Sequence, residues 1–237
     1  MSLSHFTFNG KSSGDFGLLV SNVSAFGAPA RVVEKVQIPY RNGDLLIDTG
    51  AYQNYIVTYE VAIIQNTDIN MRNIADWLLN TNGYCELSDD YTPDFYRMGA
   101  YYNQIDYTMT MLNRYGSATI SFDCKPQRYL NNGKSQRRWA NGGTINNPTN
   151  FDAKPLLRIY GNGTVTINGT TTITTTNNSS SNYIDIDSER MQIYRGETNM
   201  SANVTMTDFP SLIPDDNTIE ISTTSVAVYV TPRWWML

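Results

Sequence analysis

The chain has 237 residues, of which 41% are hydrophobic and only 16% charged, and its net charge is -5. That length supports a real core in one large or two small domains, and low charge with 12% aromatics argues against disorder. An acidic chain with a single histidine also argues against a basic duplex-binding surface and is poor in acid–base chemistry.

The N-terminus lacks a basic start followed by an apolar stretch, so no secretory signal is read there. No apolar run approaches the roughly 18 residues of a membrane helix. The expectation is a chain made in a reducing cytoplasm, with no membrane partner. Cys85 and Cys124 are too few for a disulfide framework and read as small buried apolar residues. A bridge between them would need neighbouring strands.

Phe6 to Val20 alternates loosely around Asn9-Gly10 and Gly14, which predicts a hairpin-like opening. Val32 to Ile38 predicts a strand ended by Pro39, and Asn42-Gly43 suits a tight turn. Tyr55, Val57, Tyr59, Val61 and Ile63 form one face of a long strand. Its other face carries Ile56, Ala62 and Ile64, which predicts cover on both sides. Thr67 to Asn82 is the one clear helix, with Thr67 or Asp68 as cap, a stripe of Met71, Ile74, Ala75 and Leu78, and Gly83 as stop. Asp89 to Tyr107 is rich in tyrosine. Ala118, Ile120, Phe122 and Cys124 then alternate with polar residues as a half-buried strand.

Polar turn formers from residue 131 to 150 read as a linker. The division is therefore a first domain at 1–130, a linker at 131–150 and a second domain at 151–237. Seven short strands are expected beyond the linker: Leu156 to Tyr160, Thr164 to Ile167, Thr170 to Thr176, Tyr183 to Asp187, Met191 to Arg195, Thr218 to Ser222 and Val226 to Thr231. That spacing without a helical stripe argues for a β-sandwich or jelly roll.

Chemistry is sparse. His5 stands alone, no His/Cys cluster could hold zinc, and no phosphate loop or dinucleotide turn is present. Neither a cofactor nor a metal is expected. Asp185 and Asp187 share a strand face roughly 7 Å apart, a glycosidase-like spacing, but they read as the solvated side opposite Ile184 and Ile186. Asp215-Asp216-Asn217 could offer oxygens to calcium, and a polar turn is the simpler reading. Trp234 and Trp235 are candidate sugar or partner contacts; the simpler reading packs one in the core and the other in an interface. Tyr91, Phe95, Tyr96, Tyr101 and Tyr102 form a half-exposed segment that suits a protein interface.

Several strings follow one another in a familiar order. They are Phe8-Asn9-Gly10-Lys11-Ser12-Ser13 with Phe16-Gly17-Leu18, then Ile38-Pro39-Tyr40-Arg41-Asn42-Gly43-Asp44-Leu45, Asp48-Thr49-Gly50 and Tyr52. The strand from Tyr55, the helix ending in Trp77-Leu78, the strand Gly116 to Phe122 and Lys125-Pro126 continue the match. Lys154-Pro155-Leu156, Gly161-Asn162-Gly163, Tyr183 to Asp187 and Pro232-Arg233-Trp234 extend it into the second half. Together they resemble the siphophage distal tail proteins of Gram-positive phages and prophages. One departure is Tyr40, where that family often has glycine.

The resemblance implies a mainly β fold. A β-sandwich-like, ring-forming first domain with one α-helix would precede a galectin-like or carbohydrate-module-like β-sandwich. It implies a structural virion protein, not an enzyme: a distal tail hub, hexameric or in stacked rings, at the virion tail tip. Such a hub joins the tail tube protein to a tail-tip protein of the host-adsorption apparatus, in some relatives docks receptor-binding proteins, and surrounds a channel that DNA crosses without specific binding. Arg41, Asn42 and the tyrosine-rich segment are then candidate assembly contacts. Five Lys against twelve Arg suits protein interfaces. The alternatives are a lectin-like carbohydrate-binding module using Trp234 and Trp235, or a tail-associated glycosidase using Asp185 and Asp187.

Overall fold

A computed structural model describes residues 4–24, 27–64, 67–110, 115–176 and 178–237. The chain divides into two compact units, with the boundary between Arg128 and Tyr129.

The first unit contains β1 (Phe6–Phe8), β2 (Lys11–Ser12), β3 (Leu18–Val23), β4 (Arg31–Gln37), β5 (Asp44–Tyr52) and β6 (Tyr55–Ile64). The helix α1 (Thr67–Leu79), β7 (Cys85–Asp89), β8 (Phe95–Ala100), β9 (Tyr107–Thr110) and the long β10 (Tyr115–Leu130) follow. The main sheet runs β2-β1-β7-β8-β10-β6-β3, with β9 also on β10. Its pairs are antiparallel, so period-2 alternation decides which side chains enter the core. Val57, Tyr59, Val61 and Ile63 of β6 face inward with Ile120 and Phe122 of β10. The helix adds Ile74, Trp77 and Leu78, and Trp77 stacks on Phe16 at 4.5 Å and on Phe6 at 5.7 Å. The Thr67 and Asp68 side chains, expected as caps, lie outside the described residues.

The other side of β6 is not covered. Ile56 is 53% exposed and Glu60 is exposed, so this sheet keeps one packed face and one open face, as antiparallel sheets can. Cys124 is buried and Cys85 half-buried, and both are free, because β8 lies between β7 and β10. Burial pushes the Cys124 thiol up to about 12.

The second unit is a sandwich. It comprises β11 (Arg137–Trp139), β12 (Thr144–Asn147), β13 (Leu156–Tyr160), β14 (Gly163–Ile167), β15 (Thr171–Thr175), β16 (Tyr183–Asp187) and β17 (Gln192–Arg195). Then come β18 (Thr198–Asn199), β19 (Val204–Met206), β20 (Asp215–Ile221) and β21 (Ala227–Thr231), with β22 (Trp235–Met236) in neither sandwich sheet. One sheet runs β11-β21-β13-β16-β17-β18 and the other β12-β20-β14-β15-β19. Their inner faces share one core of Leu157, Ile159, Val165, Ile173, Ile184, Ile186, Ile219, Val228 and Val230, closed by Trp139 and Trp234.

Residues 131–150, expected as a linker, instead carry β11 and β12, each paired within this sandwich. The polar turns there are real, but Trp139 and Ile145 each pin a short strand to the core. Among the described residues, no helix is long and apolar enough to cross a membrane.

Candidate functional site

The hairpin of β4 and β5 stands apart from the main sheet. The two strands pair only with each other, and none of their residues joins the core. Val36 opposes Leu45 and Glu34 opposes Ile47 on one face; Lys35 opposes Leu46 and Val33 opposes Asp48 on the other. Both faces thus carry apolar groups, and Val33, Leu45, Leu46 and Ile47 are 40–60% exposed. Arg31 pairs with Asp48 at 2.5 Å and lies over the Tyr52 ring at 5.7 Å, and the Thr49 hydroxyl donates to the Val32 carbonyl at 2.9 Å. These are surface contacts of small individual worth. A two-stranded hairpin without a core is marginal alone in water. Exposed apolar groups gathered on one ribbon are a feature that interaction surfaces carry.

Arg41 and Asn42 sit exposed at its tip beside a fully exposed Tyr40. Tyr40 has φ 64 and Gly43 φ 83. Both lie in the left-handed region, which glycine adopts freely and tyrosine only with strain.

The tyrosine-rich segment does not form one surface. Tyr102 is 66% exposed and Tyr91 37%, Phe95 and Tyr96 are half-buried, and Tyr101 is in the core at 5%. The Tyr101 ring meets Phe122 edge-on at 5.5 Å, whereas Tyr102 donates to the Asp123 carboxylate at 3.2 Å. Just past the end of β8 the two adjacent tyrosines go to different surroundings.

Asp89, at the start of this segment, organises a buried network that the sequence did not disclose. It accepts from the N–H groups of Tyr91 and Thr92, from the Thr92 hydroxyl, from the Tyr59 phenol at 2.8 Å and from Arg97 at 3.1 Å. The Arg97 and Asp89 side chains are fully buried. Burial, then the charge of Asp89, hold the Tyr59 phenol well above its ordinary value.

Asp185 and Asp187 were expected on the solvated side, and both are buried instead. Arg158 grips Asp185 with two bonds of 2.7 and 2.8 Å, and Arg233 grips Asp187 at 2.7 and 3.0 Å. Both clamps are two-pronged, the geometry a guanidinium favours. Burial pushes the Asp187 carboxyl up, but bonds from Arg233 and from the N–H groups of Arg190 and Glu189 carry it below the ordinary value. A glycosidase acid needs the opposite shift. These carboxylates tie strands together and are not placed for proton transfer.

Trp234 is core, 1% exposed, and offers no sugar platform. Trp235 lies on Phe151 with ring centres 4.4 Å apart and donates to the Asp152 carbonyl at 3.0 Å. Asn217 is also buried. It accepts from Asn168 and from the Ile213 N–H and donates to backbone carbonyls, so it locks β20 and contributes no oxygen to an ion. Among the described residues, no group of three or more His, Cys, Asp or Glu could hold a metal. His5 approaches the Leu18 carbonyl at 3.2 Å through Nδ1.

A family model described as the phage tail protein N-terminal domain matches residues 1–126, more than half of the chain. The chain belongs to this phage tail protein family. Its fold as a tail protein extends over the full length. The crystal structure of the SPP1 Dit protein (gp 19.1), described as a paradigm of the hub adsorption apparatus in phages that infect Gram-positive hosts, superposes with a TM-score of 0.74. That similarity covers 100% of each chain at 12% identity. Chains of the phage p2 baseplate in its activated conformation, solved with Sr and with Ca, align over 97% of the tail protein and 98% of their own length. Their TM-scores are 0.54 and 0.56, at 11% and 12% identity. No curated protein matches the sequence. The tail protein is mainly β and shares the fold of a distal tail hub.

Proposed function

We propose that this tail protein is the distal tail hub, a hexamer that closes a ring around the DNA channel at the tail tip and joins the tail tube to the adsorption apparatus. Its product is architecture, with no bond broken. The observation that carries this reading is the β4–β5 hairpin, which exposes apolar groups on both faces and has no core of its own. A ring needs a heterologous contact that closes after a fixed rotation, and an arm laid on the next copy supplies one. The open face of β6, with Ile56 and Glu60 exposed, is a second, mostly polar surface of the same unit available to a neighbour.

Family membership and the hub fold support the tail-tip location. The net charge of -5 suits a channel along which DNA slides without sticking, because like charges repel.

Electron microscopy and light scattering of the purified full-length chain test the reading. The expected result is six-fold annuli, single or stacked, that Leu46→Asp with Ile47→Lys dissolves into monomers with unchanged melting. A strict monomer at high concentration, alone and with tail-tube and tail-tip proteins, would refute it.

A further inference from the structure

Seven Asn-Gly pairs run through the chain, beginning at Asn9, Asn42, Asn82, Asn132, Asn141, Asn162 and Asn168. The pair is chemically labile. The asparagine side-chain carbonyl carbon and the next backbone nitrogen can close a five-membered ring, and glycine has no Cβ to obstruct the approach. Closure needs both groups free to turn toward each other.

The fold withholds that freedom from most of the pairs. The Asn168 amide donates to the Asn217 side chain at 2.8 Å and accepts from the Thr218 N–H at 2.9 Å. The Asn141 side chain accepts from the Ile221 N–H at 2.7 Å, and the Gly142 N–H is itself donated to the Ile219 carbonyl at 2.8 Å. The Asn162 side chain accepts from the Asn178 N–H at 2.7 Å. Gly133 is buried, and its carbonyl accepts from the Arg233 N–H at 2.9 Å. Asn9 and Gly10 form a tight turn between the paired Phe8 and Lys11, and the Asn9 N–H donates to the Glu86 carbonyl at 3.0 Å. Asn82 is exposed, but its connection is tied on one side by the Thr81 hydroxyl on the Leu78 carbonyl and on the other by the Tyr84 phenol, which accepts from Asn54. Asn42 is different. The last pair of the β4–β5 register is Gln37 with Asp44, so residues 38–43 form a loose tip. The Arg41 N–H donates to the Ile38 carbonyl at 3.2 Å, and beyond it neither the Asn42 side chain nor the Gly43 nitrogen has a hydrogen-bond partner among the described residues. Both residues are exposed, and a Cβ placed on Gly43 would meet nothing within 4 Å.

We propose that the Asn42-Gly43 tip is a self-modification site, which converts to isoaspartate and aspartate with water as the co-reactant. The Gly43 nitrogen attacks Asn42 Cγ. The N–Cγ bond forms, the Cγ–Nδ2 bond breaks, and ammonia leaves with the proton that the Gly43 nitrogen gave up. Water then opens the cyclic imide. Opening at the Asn42 backbone carbonyl leaves isoaspartate, with the chain rerouted through Cβ and longer by one methylene; opening at Cγ leaves aspartate. Because the attacking nitrogen reacts in its ionised form, the rate rises with pH. Either product puts a new negative charge beside Arg41 at the end of the arm. Where the arm makes the ring contact proposed above, on which this consequence alone rests, the charge and the altered backbone arrive at the contact itself.

The experiment holds the folded full-length chain in mild alkali and follows each pair by peptide mapping with mass spectrometry, while isoaspartyl methyltransferase labelling counts the rearranged product. Asn42 should react first and yield isoaspartate. Asn141 and Asn168 should react at least about tenfold more slowly, because their hydrogen bonds must open before attack. In urea, where the fold no longer holds them, the rates should converge. Asn42→Gln should lose the reaction, since the longer side chain would have to close a six-membered ring. Leu46→Asp with Ile47→Lys should react at Asn42 even as a monomer, so a missing ring and a missing reaction are read separately. The proposal is overturned if Asn42 keeps its amide while another pair reacts, if Asn141 or Asn168 matches it in the folded chain, or if the product is aspartate without isoaspartate.

Discussion

Replacing Asp89 with alanine removes the carboxylate that faces the Arg97 guanidinium across 3.1 Å in a site closed to water. Breaking one side of a buried, hydrogen-bonded ion pair costs about 3–5 kcal/mol, because the remaining charge keeps its desolvation penalty. Losing the acceptor for the Tyr91 and Thr92 N–H groups opens the turn after β7 and contributes about 1 kcal/mol of that loss. Against a domain stability of about 5–15 kcal/mol, this is a large fraction. Urea unfolding with hydrogen exchange measured by mass spectrometry reads the effect. Protection should fall in peptides of the first unit and hold in those of the second. Asp89→Ala combined with Arg97→Met should recover most of the loss, since no buried charge is then left, and the residue of about 1 kcal/mol belongs to the turn. A single-variant loss under about 1 kcal/mol, or a double variant no better than the single, would refute this assignment.

Four further outcomes are expected. Tyr40→Gly should stabilise the hairpin by about 1 kcal/mol, because φ 64 is strained for tyrosine; chemical denaturation that shows a loss contradicts the turn geometry. Gly161→Ala should destabilise the second unit by about 3 kcal/mol or more, since φ is 82 and the new Cβ would sit 2.2 Å from the Ser225 carbonyl oxygen; a wild-type melting curve would show the approach is looser. In the folded chain Cys85 should react with a thiol reagent at pH 8 and Cys124 should not. Because the Cys124 thiol and the Tyr101 and Tyr107 phenols are all raised to about 12 by burial, stability should fall as pH rises from the unfolded values near 9 to 10 toward 12. Flat stability across that window would contradict their burial.

The second half was legible where alternation is strict. All seven expected strands form, since Val, Ile and Leu at every other position leave one register that buries them. The missed strands β11 and β12 place only Trp139 and Ile145 in the core, too thin a signal among Asn, Gly and Arg. The second hairpin strand β5 was hidden for the opposite reason: Leu45, Leu46 and Ile47 run without alternation because neither face is packed within the chain. Alternation separated Asp185 and Asp187 correctly from the isoleucines. It could not show that this face is roofed by arginines, since Arg158 and Arg233 lie 27 and 46 positions away. Adjacent tyrosines at 101 and 102 likewise share composition but not surroundings, and only the folded chain tells them apart.

An arm that exposes apolar groups on both sides is not covered by one flat neighbour; covering them all takes contact from above and below. In the ring proposed above each such arm would find both halves of its grip, whereas an arc with a missing link would leave an arm bare at one end and an empty grip at the other. Incomplete circles should therefore be scarce, with solutions dominated by lone chains and finished assemblies.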